Sequence, residues 1–69
     1  MDYRALIQKI VGPGYDPRHI EAMMRVDHST LDHLTPSQFE HEARFAALCV
    51  AEGGTAFAEK VALSFGMRR

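Results

Sequence analysis

The stretch Thr35-Pro36-Ser37-Gln38 constrains this chain more than any other, because it marks a helix start in several independent ways. Threonine at the N-cap and glutamine three positions later can satisfy two free amides reciprocally. Proline at the first helical position brings a suitable φ, and its missing N–H costs nothing there. Leu34 before the cap and Phe39 after it are placed to close a hydrophobic staple. The helix that begins here is predicted to reach Glu52, where Gly53-Gly54 supplies a stop.

Similar punctuation divides the rest of the chain. Tyr3, Leu6, Ile7, Ile10 and Val11 share one helical face, which predicts an amphipathic helix over 2–11 that ends at Gly12-Pro13-Gly14. Tyr15 falls in the tight loop that follows. Asp16-Pro17 reads as the N-cap and first residue of a second helix running to Arg25, with Ile20, Met23 and Met24 as its buried stripe. Glu21 and Arg25 are spaced for an ion pair on its exposed side. Asp27 to Leu34 reads as a polar connector holding one helical turn capped by Ser29 or Thr30. Thr55 is expected to cap a last helix reaching Phe65, with Phe57, Val61 and Phe65 aligned on one side, Gly66 as its stop and Met67-Arg68-Arg69 as a frayed tail.

No segment alternates as a strand would, so the expected fold is all-α: a single helical domain over 1–69, built as a compact bundle of four main helices plus the short turn. The Thr35-capped helix is expected at its centre. With 69 residues the chain lies near the lower limit for one unaided hydrophobic core, while 46% hydrophobic and 25% charged residues are ordinary for a globular domain.

Composition also bounds function. One cysteine, Cys49, rules out an intramolecular disulfide framework. The amino terminus has no signal-peptide pattern, and no apolar run approaches the roughly 20 residues of a membrane span, so cytoplasmic residence without membrane attachment is expected. A net charge of −1 lacks the basic excess that marks most nucleic-acid binders. There is no nucleophile elbow and no phosphate-cradling glycine loop, and Ser29, Ser37 and Ser64 fit caps or helix surfaces. The chain is therefore read as non-enzymatic and without a cofactor. His28, Asp32 and His33 are close in sequence, but no further ligand pattern completes a metal site, and capping or exposure accounts for the four histidines. Cys49, flanked by Leu48 and Val50, reads as a buried and inert thiol.

The surplus lies on the Thr35-capped helix. Phe39, Ala43, Ala46 and Val50 form one face, whereas Phe45 and Leu48 point elsewhere, near His41 and Glu52. Either the other helices surround this one and cover both faces, or Phe45 and Leu48, extended by Leu63, form a partner-binding or dimerisation patch. Glu40, Glu42 and Glu52 could face a basic partner, with Arg44 answering part of that charge.

A second reading starts from the outline of a helix-turn-helix around Gly53-Gly54. The following helix offers few side chains that read bases, so Arg18 and Arg25, with Arg4, are the better electrostatic candidates for nucleic acid. That reading describes a small dimeric DNA-binding regulator, and it is the less favoured.

Gly12-Pro13-Gly14-Tyr15-Asp16-Pro17, His28-Ser29-Thr30-Leu31-Asp32 and Ala62-Leu63-Ser64-Phe65-Gly66 together resemble small uncharacterised helical proteins of bacterial phages and mobile elements. The resemblance spans most of the chain and implies context without a mechanism. In that context small proteins often bind a larger host protein complex and occlude it, as anti-CRISPR inhibitors do, and this chain is similar to those in size and character. The favoured expectation is a non-enzymatic interaction module, an inhibitor or accessory factor acting on a larger protein.

Overall fold

The computed structural model describes residues 2–68. Its helices are α1 (Tyr3–Val11), α2 (Pro17–Asp27), α3 (Pro36–Gly53) and α4 (Thr55–Ser64), and no strand occurs among the described residues. The all-α fold expected from the sequence is therefore the one observed. None of these helices is long and apolar enough to cross a membrane.

Each boundary has a local cause. Asp2 caps α1 by accepting from the amides of Arg4 and Ala5, and Asp16 caps α2 by accepting from the amide of Arg18. At α3 the full capping box forms. The Thr35 hydroxyl accepts from Gln38 N at 3.1 Å, and Gln38 Oε1 accepts from Thr35 N at 2.9 Å. The connector differs from expectation: residues 28–35 hold no helical turn, only bends and a turn closed by Leu34 N donating to Leu31 O at 3.3 Å. The Thr30 hydroxyl accepts from Asp32 N, which gives the chain a local alternative to helix here. Leu31 is buried, and it anchors this loop to the core.

At α4 the cap also differs. Gly54, with φ of 86°, is the residue before the helix, and Thr55 is its first residue, so no side chain caps that end. A left-handed residue between α3 and α4 turns the chain within a single position, which glycine permits without a Cβ clash.

The main correction concerns the centre. Both α2 and α3 pack against all three other helices, but α2 does so more extensively and is buried around more of its circumference. Residues 18–22 of α2 are all buried: Arg18, His19, Ile20, Glu21 and Ala22. The principal core joins Ile7 of α1, Ile20 and Met24 of α2, Leu31, and Phe39, Ala43, Ala46, Ala47 and Val50 of α3, with Ala58 of α4. Tyr3 stacks on Phe39 with ring centroids 5.8 Å apart and joins α1 to the start of α3. Leu34 packs against this core beside Phe39, as the staple requires.

The face of α4 is also displaced from the one its aromatic spacing indicated. Ala58 and Ala62 face inward, while Phe57 and Phe65 are exposed and Val61 is half-buried. Small side chains at Ala22, Ala58 and Ala62 let α2 and α4 approach closely, since interaxial distance follows the size of the residues in contact.

The C-terminal segment is not frayed through Met67. The Met67 amide donates to Ala62 O at 3.0 Å and the Gly66 amide to Leu63 O at 2.9 Å, with Gly66 at φ of 78°. This paired pattern is a Schellman motif, and its usual apolar contact is present: Met67 is buried against Ala62 and Ala22. Gly66→Ala places a Cβ in open space but forces a left-handed backbone, so it is expected to cost about 1 kcal/mol in urea unfolding. Unchanged stability would show that the Schellman turn is not formed in solution.

Candidate interaction surface

Burying a charged stretch of α2 at the centre requires counter-charges, and the structure supplies them in two groups. In the first, Glu21 accepts from Arg4 Nε at 2.9 Å through one oxygen and from Arg25 Nε at 3.0 Å through the other. Arg25 is the expected i,i+4 partner, but Glu21 is buried and not on a solvated face. In the second group, Arg18 is only 7% exposed and bridges three segments. Its Nη2 donates to Asp16 Oδ2 at 3.0 Å and to Glu59 Oε1 at 2.7 Å, while its Nη1 donates to the Met67 carbonyl at 2.8 Å. His19 Nε2 lies 2.8 Å from Glu59 Oε1. The Arg18 guanidinium is held more strongly protonated than usual, chiefly by its hydrogen bond to Glu59 against the opposing effect of burial, with Asp16 adding to the upward shift. Its positive charge, and the stability it confers, therefore persist into strong alkali and fade only as pH rises through that raised value.

This cluster bears on two sequence expectations. Arg18 does not offer a free guanidinium at the surface, and Arg4 and Arg25 share one carboxylate, so the three arginines proposed for nucleic acid are committed to internal ion pairs. Arg4 and Arg25 with their one carboxylate keep a single net positive charge, so the three arginines do not make a strongly basic patch. His19 is buried and paired, contrary to the expectation that the histidines serve as caps or are exposed.

Asp16, His19 and Glu59 bring one ligand atom each within 4.8 Å of one another, the only such group among the described residues. Arg18 already donates to both carboxylates, so a metal ion would have to displace a guanidinium from between them. The set reads as an internally satisfied ion-pair cluster. His28, Asp32 and His33 do not converge. The two rings lie 5.7 Å apart, but Asp32 accepts from the Tyr3 hydroxyl and His28 faces Glu42 at 3.6 Å. His41 is exposed on α3.

The outer surface carries the second part of the site. Val26, Phe45, Leu48, Phe57, Leu63 and Phe65 are all large, apolar and exposed. Because α2 occupies the centre, α3 buries a single face, and Phe45 and Leu48 are left 54% and 60% exposed. The alternative in which neighbouring helices cover them is thereby excluded. Phe45 lines a groove of about 190 Å³ between α2 and α3, together with Met23, Val26, Glu42 and Cys49. Cys49 is half-buried there and not fully enclosed. Leu48 lines an adjacent groove with Ile10, Val11 and Tyr15.

The candidate residues separate accordingly. Phe45, Leu48 and Glu52 share the outward face of α3, being related by three, four and seven positions. Glu40 lies toward the flank, where it pairs with Arg44 at 3.1 Å. Leu63 is exposed on α4 but lines neither groove that holds Phe45 or Leu48. Val26 and Asp27 were missed by sequence reasoning, because α2 continues two residues beyond its expected end at Arg25.

Comparison with family models, with curated protein sequences and with solved structures found no match for this chain.

Arg18→Ala leaves Glu59 and Asp16 without their guanidinium and removes the donor to the Met67 carbonyl. It is expected to cost about 3 kcal/mol of folding stability, measured by urea unfolding, as when one partner of a buried pair is removed. A loss below about 1 kcal/mol would place this pair with ordinary surface bridges.

Proposed function

We propose that this protein is a non-enzymatic interaction module that binds a larger protein through the outward face of α3. The observation that carries the reading is the exposure of Phe45 and Leu48 on one helix face, alongside Val26 across the groove. Two bulky apolar groups in water on a chain this small cost solubility and contribute little to its own core, which is the pattern of a surface awaiting a partner. The buried polar clusters do not compete with it as a functional centre, since their groups are hydrogen-bonded to one another.

In this reading the protein acts stoichiometrically, as an inhibitor or accessory factor of a larger complex. The phage or mobile-element setting comes from the sequence resemblance alone, and with it the idea of an anti-CRISPR-like occluding protein. A cytoplasmic site of action belongs to the same proposal. The DNA-regulator reading is weaker, because its arginines are engaged by Glu21, Asp16 and Glu59.

The test is capture of tagged protein from its native cells, in wild-type form and as the Phe45→Ser/Leu48→Ser double variant. Wild type is expected to retain a stoichiometric protein partner that the variant loses, while the variant's folding stability changes by no more than about 0.5 kcal/mol. A partner retained equally by both forms would place the interface elsewhere. Recovery of nuclease-sensitive material in its place would favour nucleic acid.

A further inference from the structure

The distribution of unpaired carboxylates identifies the kind of partner this face fits. Most acidic side chains have an internal task. Asp16 and Glu59 hold Arg18, Glu21 holds Arg4 and Arg25, Glu40 holds Arg44, Asp2 caps α1, and Asp32 accepts from Tyr3. Three have no such task. Asp27 and Glu52 make no ion pair or hydrogen bond through their side chains among the described residues, and Glu42 has only His28, at 3.6 Å.

These three carboxylates lie around the exposed apolar groups. Asp27 and Glu42 line the groove that holds Val26 and Phe45. Glu52 follows Phe45 by seven positions and Leu48 by four on the same face of α3. Glu42 and Glu52 are separated along α3 by about 15 Å, at a rise of about 1.5 Å per residue, with the apolar groups between them.

Two of the carboxylates also occupy poor positions for the fold itself. Asp27 is the last residue of α2 and Glu52 lies in the last turn of α3. Each therefore adds negative charge where the helix dipole is already negative, a local electrostatic cost that a cation would reverse.

We propose that the α2–α3 groove and the adjoining outer face of α3 bind a basic amphipathic helix, whose apolar side chains contact Val26, Phe45 and Leu48 while its lysines or arginines pair with Asp27, Glu42 and Glu52. This rests on the interaction-module reading and adds the charge and form of the partner. Apolar anchors in a groove and flanking charge pairs divide the work: the first set affinity, and the second set orientation and rejection of acidic partners. Met23 on the groove wall suits such an occupant, because an unbranched thioether adapts to differing side chains. A second copy of this chain is a poorer occupant, since isologous pairing would bring the same three carboxylates against one another.

The experiment is fluorescence anisotropy with three labelled peptides that share one leucine face and carry lysine, glutamate or glutamine on the other. The lysine peptide is expected to bind at least about tenfold more tightly than the glutamate peptide. Phe45→Ser and, separately, Asp27→Asn/Glu52→Gln are each expected to weaken the lysine peptide about tenfold. Both sites are exposed, and circular dichroism melting of each variant confirms that it folds. If the glutamine or glutamate peptide binds as tightly and still requires Phe45, the apolar surface stands and the inference about charge is overturned. If no peptide binds, or binding of the lysine peptide ignores Phe45→Ser, the groove is not the docking site. Dimerisation that Phe45→Ser abolishes, seen by sedimentation equilibrium, would overturn the proposal in favour of a second copy.

Discussion

The pairing of Arg18 with Glu59 is the interaction on which the arrangement of this domain depends. A helix that presents Arg18, His19 and Glu21 consecutively with Ile20 and Ala22 cannot enter the centre of a small bundle unless its charges are neutralised there. Glu59 supplies that neutralisation from α4, at 2.7 Å, and the Met67 carbonyl supplies a further acceptor because a Schellman turn brings the chain back over Ala62. Glu21, answered by Arg4 from α1, completes the arrangement on another side of the same helix. Once α2 is held at the centre, α3 is left with one buried face and one face in water.

The functional surface follows from that geometry. Fully buried alanines at Ala22, Ala58 and Ala62 draw α4 onto α2, and the larger residues of α4, Phe57, Leu63 and Phe65, remain outside. On α3 the same logic leaves Phe45 and Leu48 outside the core that Phe39, Ala43, Ala46, Ala47 and Val50 complete. Because Arg4, Arg18, Arg25 and Arg44 engage Glu21, Asp16, Glu59 and Glu40, it is Asp27, Glu42 and Glu52 that give the Phe45 face its acidic border. Internal ion pairing and external charge are two consequences of one distribution.

Much of the fold was legible from local signals. The capping box at Thr35 and Gln38, the Asp16-Pro17 start and the Gly12 and Gly53-Gly54 stops each act within a few residues, and each places a helix boundary within about two positions. The stripe Phe39, Ala43, Ala46 and Val50 was legible too, since helical period alone defines it. What sequence periodicity could not show was which helix is central. A helix with Arg18, His19 and Glu21 scores as a surface element, and only a partner 40 residues away, Glu59, makes its burial affordable. Alanine hides the second fact: as the strongest helix former it occurs on either face, so Ala58 and Ala62 gave no sign that they outrank Phe57 and Phe65 at the interface. The candidate surface was accordingly half legible. Phe45, Leu48 and Glu52 could be singled out as surplus, whereas Val26 and Asp27 depend on the extra half-turn of α2.

The central claim is that α2 occupies the middle of the bundle and leaves the outward face of α3 in water. Solvent paramagnetic relaxation measured by NMR on dilute protein tests it most directly. The account predicts strong enhancement at the Phe45 ring and Leu48 methyls, with Ile20 and Met24 protected. Protection of Phe45 and Leu48 together with enhancement at Ile20 and Met24 would contradict it.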